Sequence, residues 1–276
     1  MTWRYRRLLL NRRSYNGVCW WCGGIADSRE HQYKRADVVR EFGSGPYSGL
    51  VRWRGADSYR IRGPNSNVLK FGRTLCQPCN NVRSQPFDQA YDSFIEHLRA
   101  NERQIILARV IHLPAVWGNW TDGSVALARY FVKHIGCRLA DADVEVPAEL
   151  IGFLDGQLPL RSLLFGWEIR ADLLVTFEYK QLPPDSLWLG GLRSHTQART
   201  GDIVAIDSHV GYRWFRLSWV YDDRLQSTAP AVPGPDLALN IGYSTKWTEI
   251  ARMGLAIELR RRREAVSGWL RSKFGT

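Results

Sequence analysis

The sequence lacks any long hydrophobic run, and this absence argues against a protein with membrane-spanning helices. No apolar stretch in the 276 residues approaches the roughly 20 that a helix needs to cross a bilayer. The segment that starts at Trp3 is basic, but its apolar run is too short for a secretory signal. The apolar fraction of 45% and the mean hydropathy of −0.31 fit a globular protein. We therefore expect a cytoplasmic protein with no membrane partner.

Acidic residues are scarce in the first third of the chain. Residues 1–85 hold 16 Lys and Arg but only 5 Asp and Glu, a net charge of +11, whereas the remaining residues hold 22 of each kind. All of the net positive charge therefore belongs to the N-terminal segment. Such a field attracts a polyanion, and DNA or RNA is the partner that we expect. The alternative is an ordinary solvated basic face.

Only five cysteines are present, and four of them form two closely spaced pairs, Cys19/Cys22 and Cys76/Cys79. Two CxxC pairs separated by a long insert are typical of a tetrahedral zinc site made of four thiolates. Such a site has no open coordination position, so the zinc would be structural. Cys137 is then left unpaired, which agrees with a reducing compartment. A redox-active dithiol is a weaker alternative, because no thioredoxin-like βαβ pattern surrounds either pair.

Three polar residues accompany the cysteine pairs. Glu30 and His31 follow the first pair, and Asn80 directly follows Cys79. This pattern resembles HNH (ββα-metal) nucleases, in particular the zinc-bearing branch that includes phage resolvases of the endonuclease VII type. The resemblance covers about residues 19–98.

The resemblance implies a DNA endonuclease with an N-terminal, zinc-stabilised ββα-metal module. In that family the acidic residue and the Asn hold a catalytic Mg²⁺ or Mn²⁺, which places Glu30 and Asn80 as ligands and His31 as the general base. Four departures from the family pattern are a Glu instead of the usual Asp at Glu30, the lack of a proline three residues after His31, a longer insert between the cysteine pairs, and Phe71 where many relatives have Asn. The alternative is therefore a non-catalytic, zinc-dependent nucleic-acid-binding protein with a degenerate site.

The insert between the cysteine pairs carries further basic residues. Residues 32–42 are predicted to be helical. In residues 50–54 and 58–62 the side-chain character alternates with a period of two residues, which predicts a strand in each segment. Candidate phosphate contacts lie just after the proposed base and along these strands: Lys34, Arg35, Arg52, Arg54, Arg60 and Arg62. The alternative for the strands is an amphipathic hairpin whose outer face is basic.

The rest of the sequence predicts a mixed helical and β region, so the fold class is α+β. We expect helices at 86–110, 124–139 and 147–154, and strands at 188–192, 202–207 and 212–221 with a turn at 209–211. A C-terminal basic helix is predicted at 245–273. The predicted domains are residues 1–110, the zinc-binding nuclease module, and residues 111–276, of unknown type.

Overall fold

The computed structural model describes residues 13–54, 57–157, 159–171, 173, 187–197, 199, 203–225 and 232–242. The described residues form a mixed α+β structure, which confirms the predicted class. The helices are α1 (Arg35–Phe42), α2 (Gln85–Ala100), α3 (Glu102–Ala108), α4 (Trp120–Asp141) and α5 (Ala148–Leu154). The strands are β1 (Ser28–His31), β2 (Val51–Arg54), β3 (Asp57–Arg60), β4 (Lys70–Leu75), β5 (Val110–His112), β6 (Leu163–Arg170), β7 (Leu187–Leu189), β8 (Arg193–Thr196), β9 (Ile203–Tyr212), β10 (Phe215–Asp222), β11 (Asp236–Ala238) and β12 (Asn240–Gly242). The predicted C-terminal helix lies outside the described residues.

Two helices, α2 and α4, form the layer that supports the N-terminal elements. α2 begins with a proline in its first turn and has Asp88 there, where an acidic side chain favours the helix dipole. The side chain of Asn119 caps α4 by accepting a hydrogen bond from the backbone N–H of Asp122. Within the described residues, no helix is both long and apolar enough to span a membrane.

The larger sheet packs against these two helices. In the described part of the chain its strand order is β12-β6-β10-β9-β7, and β8 also pairs with β9. Alternate residues of β10 are buried, as expected for a strand with one face on a core. Phe94 of α2 and Phe131 of α4 contact Trp167 of β6, with ring centroids 6.2 and 5.8 Å apart. The sheet and both helices therefore share one hydrophobic core.

The core crosses the predicted boundary between residues 110 and 111. One cluster of buried residues includes Cys19, Trp20 and Leu75 from the N-terminal part together with Leu127 and Trp219 from the C-terminal part. The division into two domains stays a prediction. A second, smaller cluster is formed by Val38, Ile61 and Leu69 in the insert between the cysteine pairs. The insert thus has a small core of its own.

The helix predicted at 86–110 is helical over most of its length, but the prediction of one continuous helix that reaches residue 110 was wrong. The chain forms α2, then α3, and residues 110–112 are strand β5, which pairs with β11. Asn101 separates the two helices with φ −118°, and Arg109 ends α3 in the left-handed region with φ 56°. These two backbone conformations break a helical periodicity that the side chains alone suggested.

The turn predicted at 209–211 was also wrong. β9 continues through these residues to Tyr212, and the hairpin turns at Arg213 and Trp214 instead. Gly211 is required for a close approach: a Cβ atom built on it would lie 1.9 Å from the ring of Trp188 on β7. The glycine therefore indicates strand-to-side-chain packing, whereas the sequence pattern suggested a turn.

Candidate metal centre and adjoining polar site

The four paired cysteines converge, as the sequence predicted. Their Sγ atoms all lie within 4.8 Å of one another, and the Sγ atoms of Cys22 and Cys76 are 3.6 Å apart. A tetrahedron with Zn–S bonds of about 2.3 Å has sulfur–sulfur edges of about 3.8 Å. None of the four is in a disulfide. The cluster could therefore hold a structural metal such as zinc, and its convergence favours this interpretation over a redox dithiol.

Local hydrogen bonds shape the first cysteine pair. The backbone N–H of Cys19 donates to the carbonyl of Gly24 at 2.7 Å, and that of Gly23 donates to the carbonyl of Cys19 at 2.8 Å. The backbone N–H of Gly24 is the main cause that lowers the pKa of the exposed Cys22 thiol to about 7. The turn thus favours the thiolate form, which is the form that binds a metal.

The two tryptophans between Cys19 and Cys22 anchor the cluster in the core. Trp20 lies against α4 at Gly136, where an added Cβ would be 2.4 Å from the ring. Trp21 donates through Nε1 to Asp155 Oδ1 at 2.8 Å. Arg83 lies over the Trp21 ring at 4.4 Å and donates to Cys79 Sγ at 3.5 Å. These contacts fix the cysteine turn relative to α4 and to the residue that follows α5.

The predicted catalytic residues lie on β1 and on the helical turn that follows β4. β1 carries Glu30 and His31 and pairs antiparallel with β4, and His31 lies opposite Lys70. After β4 comes a π-helical turn, Pro78–Arg83, which contains Asn80 and leads into α2. Asn80 donates through its backbone to Cys76 and through Nδ2 to Ser28 Oγ, both at 2.9 Å. Asn80 thereby ties the cysteine loop to β1.

A buried lysine from α4 faces Glu30. Lys133 Nζ lies 3.0 Å from Glu30 Oε2 and 3.5 Å from Asp88 Oδ2, and it donates to Ser84 Oγ at 3.1 Å. Its side chain is only 2% exposed. Burial raises the pKa of Glu30, and the ammonium of Lys133 opposes this rise. For Lys133, the two carboxylates outweigh burial, so its pKa is raised. The ammonium of Lys133 is therefore buried between the carboxylates of Glu30 and Asp88.

Two of the predicted catalytic residues present polar atoms that lack partners. His31 Nε2 and Asn80 Oδ1 are buried, and neither has a hydrogen-bond partner in the described part of the chain. Burial, followed by the nearby charges of Lys70 and Arg35, lowers the pKa of His31 to about 4. The imidazole is thus neutral at pH 7. His31 Nε2 and Asn80 Oδ1 are two of ten buried side-chain polar atoms without a partner among the described residues, and a bound ion or water is one explanation for such atoms.

The predicted phosphate contacts occupy different surroundings. Lys34 forms an ion pair with Asp92 at 2.9 Å. Arg52 donates to the carbonyl oxygen of Val68. Arg35, Arg60 and Arg62 are exposed. Arg54 lies in β2, and its side chain is outside the described part. The role of all six in binding phosphate stays a prediction.

Sequence reasoning missed the residues that surround Glu30. Ser84, Asp88 and Lys133 were not among the candidates, although a lysine within the apolar run of α4 was a visible signal. Phe71 is 3% exposed and packs edge-on against His134, with ring centroids 5.2 Å apart. That position is therefore part of the core. The free thiol of Cys137 is fully buried, in agreement with its unpaired status in the sequence.

No protein-family model, curated protein or solved structure matches this chain. The interpretation of the site therefore depends on its geometry and chemistry.

Proposed function

We propose that this protein is a metal-dependent endonuclease that hydrolyses phosphodiester bonds of DNA. The observation that supports this most is the pair of buried atoms without partners, His31 Nε2 and Asn80 Oδ1. Both belong to residues that the sequence pattern singled out for catalysis. Asn80 follows Cys79 directly and is hydrogen-bonded to Ser28 of β1, the strand that also carries Glu30 and His31, which is consistent with a site that receives an ion and a substrate.

The donor set suits a hard divalent cation. Glu30 supplies a carboxylate and Asn80 an amide oxygen, and Mg²⁺ and Mn²⁺ prefer oxygen ligands. When bound there, the ion would stabilise the negative charge of the pentacovalent phosphorus and of the leaving 3′ oxygen. Zinc at Cys19, Cys22, Cys76 and Cys79 would have a structural role.

Residues of this chain would accept the proton, orient the amide of Asn80 and attract the DNA. His31 would accept a proton from the attacking water, since its imidazole is neutral at pH 7 and Nε2 has no other partner among the described residues. Ser28 would orient Asn80 by accepting a hydrogen bond from Nδ2, which leaves Oδ1 free to face a cation. The basic N-terminal segment would attract the DNA backbone.

A second function is supported by Lys133. Its ammonium already neutralises Glu30 at 3.0 Å, so the carboxylate has a cation partner without any metal. In that case the polar site would be structural, and the protein would be a zinc-dependent nucleic-acid-binding protein without catalytic activity. Binding of Mn²⁺ to the zinc-loaded protein separates the two functions, because only the nuclease needs a second metal site.

The main experiment is a cleavage assay on plasmid, duplex and single-stranded DNA with Mg²⁺ or Mn²⁺. We expect metal-dependent cleavage that is lost in His31→Ala and in Asn80→Ala. The matched control is Asn81→Ala, because Asn81 is adjacent but exposed. Zinc content and thermal stability of each variant exclude a folding defect. Retained DNA binding with no cleavage by the wild-type protein would favour the binding protein.

A further inference from the structure

The β2–β3 hairpin has its two faces arranged in an unusual way. Val51 pairs with Arg60 and Trp53 with Ser58, so these four residues share one face, while Arg52 and Tyr59 belong to the other. An amphipathic hairpin usually turns its aromatic side chains towards the protein and its charged ones towards water. Here the side chain of Trp53 is 68% exposed.

The opposite face of the hairpin is attached to the protein at Arg52, whereas Tyr59 on that face is 42% exposed. Arg52 donates to the carbonyl oxygen of Val68, and its guanidinium lies 5.9 Å from the centre of the Tyr33 ring. The hairpin is thus held by an arginine that contacts backbone and an aromatic ring. Folding therefore does not explain why a tryptophan is placed on the outer face.

The outer face combines an aromatic ring with positive charge. Val51 is 40% exposed beside Trp53, and Arg60 lies on the same face. Arg62, two residues after the end of the strand, is also exposed. Neither arginine has a carboxylate partner in the described part of the chain. An exposed ring beside two exposed arginines that lack carboxylate partners among the described residues matches an anionic polymer that carries flat aromatic groups.

The insert connects this hairpin to both strands of the β1–β4 pair. It leaves the strand pair after His31 and returns to it at Lys70, the residue that lies opposite His31. Lys34, at its start, is fixed to α2 through Asp92. The backbone N–H of Ile61 donates to the carbonyl of Leu50 at 2.9 Å, which continues the hairpin towards the small core. The insert that carries the hairpin is therefore connected at both ends to the β1–β4 strand pair.

We infer that the outer face of the β2–β3 hairpin is a stacking platform for unpaired bases, so that the protein binds single-stranded DNA. The inference depends on the proposed nucleic-acid function and names the substrate class for it. In a duplex the faces of the bases are stacked on their neighbours, whereas a single strand exposes them to an indole ring. Trp53 would stack on a base, and Arg60 would contact the adjacent phosphate.

The test measures binding of the full-length, zinc-loaded protein without Mg²⁺ or Mn²⁺, so that cleavage does not interfere. Fluorescence anisotropy compares a labelled 30-nucleotide single strand with the duplex of the same sequence. Trp53→Ala is expected to weaken single-strand binding by about 5- to 150-fold, the range of one lost base stack, with little change for the duplex. Trp53→Phe should retain most of the affinity. Arg60→Gln should weaken both and lower the salt slope by about one.

The control is Leu107→Ala, which removes an apolar side chain that is 74% exposed on α3. It should leave both affinities unchanged. Equal single-strand affinity of Trp53→Ala and wild type would overturn the inference, as would equal losses on single strand and duplex. Dissociation of a wild-type dimer by Trp53→Ala would identify a protein interface instead, and would also overturn it.

The outcomes separate this inference from the proposed function. If wild type cleaves DNA while Trp53→Ala binds single strands normally, the nuclease stands and the platform is rejected. If Trp53→Ala loses single-strand binding but wild type cleaves nothing, the platform stands and the nuclease is rejected. A wild-type protein that binds neither form of DNA contradicts both.

Discussion

Replacement of Lys133 by methionine tests the buried charge cluster. The substitution keeps the length of the side chain but removes the ammonium that faces Glu30 at 3.0 Å and Asp88 at 3.5 Å. Lys133 is 2% exposed and Glu30 14%, so water cannot readily replace the lost partner. Breaking a buried ion pair by removing one partner costs about 3–5 kcal/mol. That is a large part of the 5–15 kcal/mol typical of a folded protein.

The pH dependence of the Lys133→Met variant has a definite sign. Without the ammonium, the pKa of Glu30 in the folded state rises further above its unfolded value, because burial then acts unopposed. The folded state consequently binds more protons than the unfolded state above the unfolded pKa of Glu, and the free energy of unfolding falls as pH rises. The deficit relative to wild type should be larger at pH 8 than at pH 5.5.

The assay is equilibrium urea unfolding with excess zinc, followed by tryptophan fluorescence at both pH values. Lys133→Met/Glu30→Gln should recover part of the lost stability, because it removes both buried charges. Arg13→Met is the control: its pair with Glu145 is exposed, at 56% and 37%, so it should change stability by about 0–1 kcal/mol. A Lys133→Met protein within about 0.5 kcal/mol of wild type at pH 8, far below the 3–5 kcal/mol of a broken buried pair, would show that this buried pair does not stabilise the fold.

Three other predictions concern the core, the cysteines and pH. Gly136→Ala places a Cβ within 2.4 Å of the Trp20 ring, so the melting temperature should fall by several degrees. The control is Gly118→Ala, whose added Cβ meets no atom within 4 Å and should leave the melting temperature unchanged. Cys79→Ser should abolish a zinc content of about one per chain, measured by elemental analysis, and lower the melting temperature; unchanged zinc content would contradict the proposed ligand set. Burial, followed by the charge of Arg138, lowers the pKa of His134 to about 3. Below about pH 6.5 the unfolded state therefore binds a proton that the folded state does not, and the free energy of unfolding of the wild type falls as pH drops. In His134→Gln that fall should be smaller by up to about 1.4 kcal/mol per pH unit, measured by urea unfolding between pH 6.5 and 4; an unchanged slope would show that His134 does not titrate in this way.

Much of the local structure could be predicted because its cause is local. Cys19 and Cys22 are close in sequence, as are Cys76 and Cys79, so each CxxC spacing fixes a turn whatever the rest of the fold does. The period of the apolar residues likewise predicted α4 and α5, and the alternation of residues predicted β2 and β3. The turn predicted at 209–211 failed because this segment contains a glycine whose role depends on Trp188, a residue more than twenty positions away.

Residue spacing and composition are enough to predict the cysteine pairs, the basic N-terminal third and the amphipathic elements. Which residues meet across the chain depends on the tertiary structure. Lys133 reaches Glu30 over about a hundred residues, and Trp20 packs on Gly136 over a similar separation. Alternation showed that the β2–β3 hairpin has two faces, but not which one points to solvent. The face that carries Arg52 is the one held against the protein, because Arg52 contacts Val68 and Tyr33. The face that carries Trp53 is therefore the outer one.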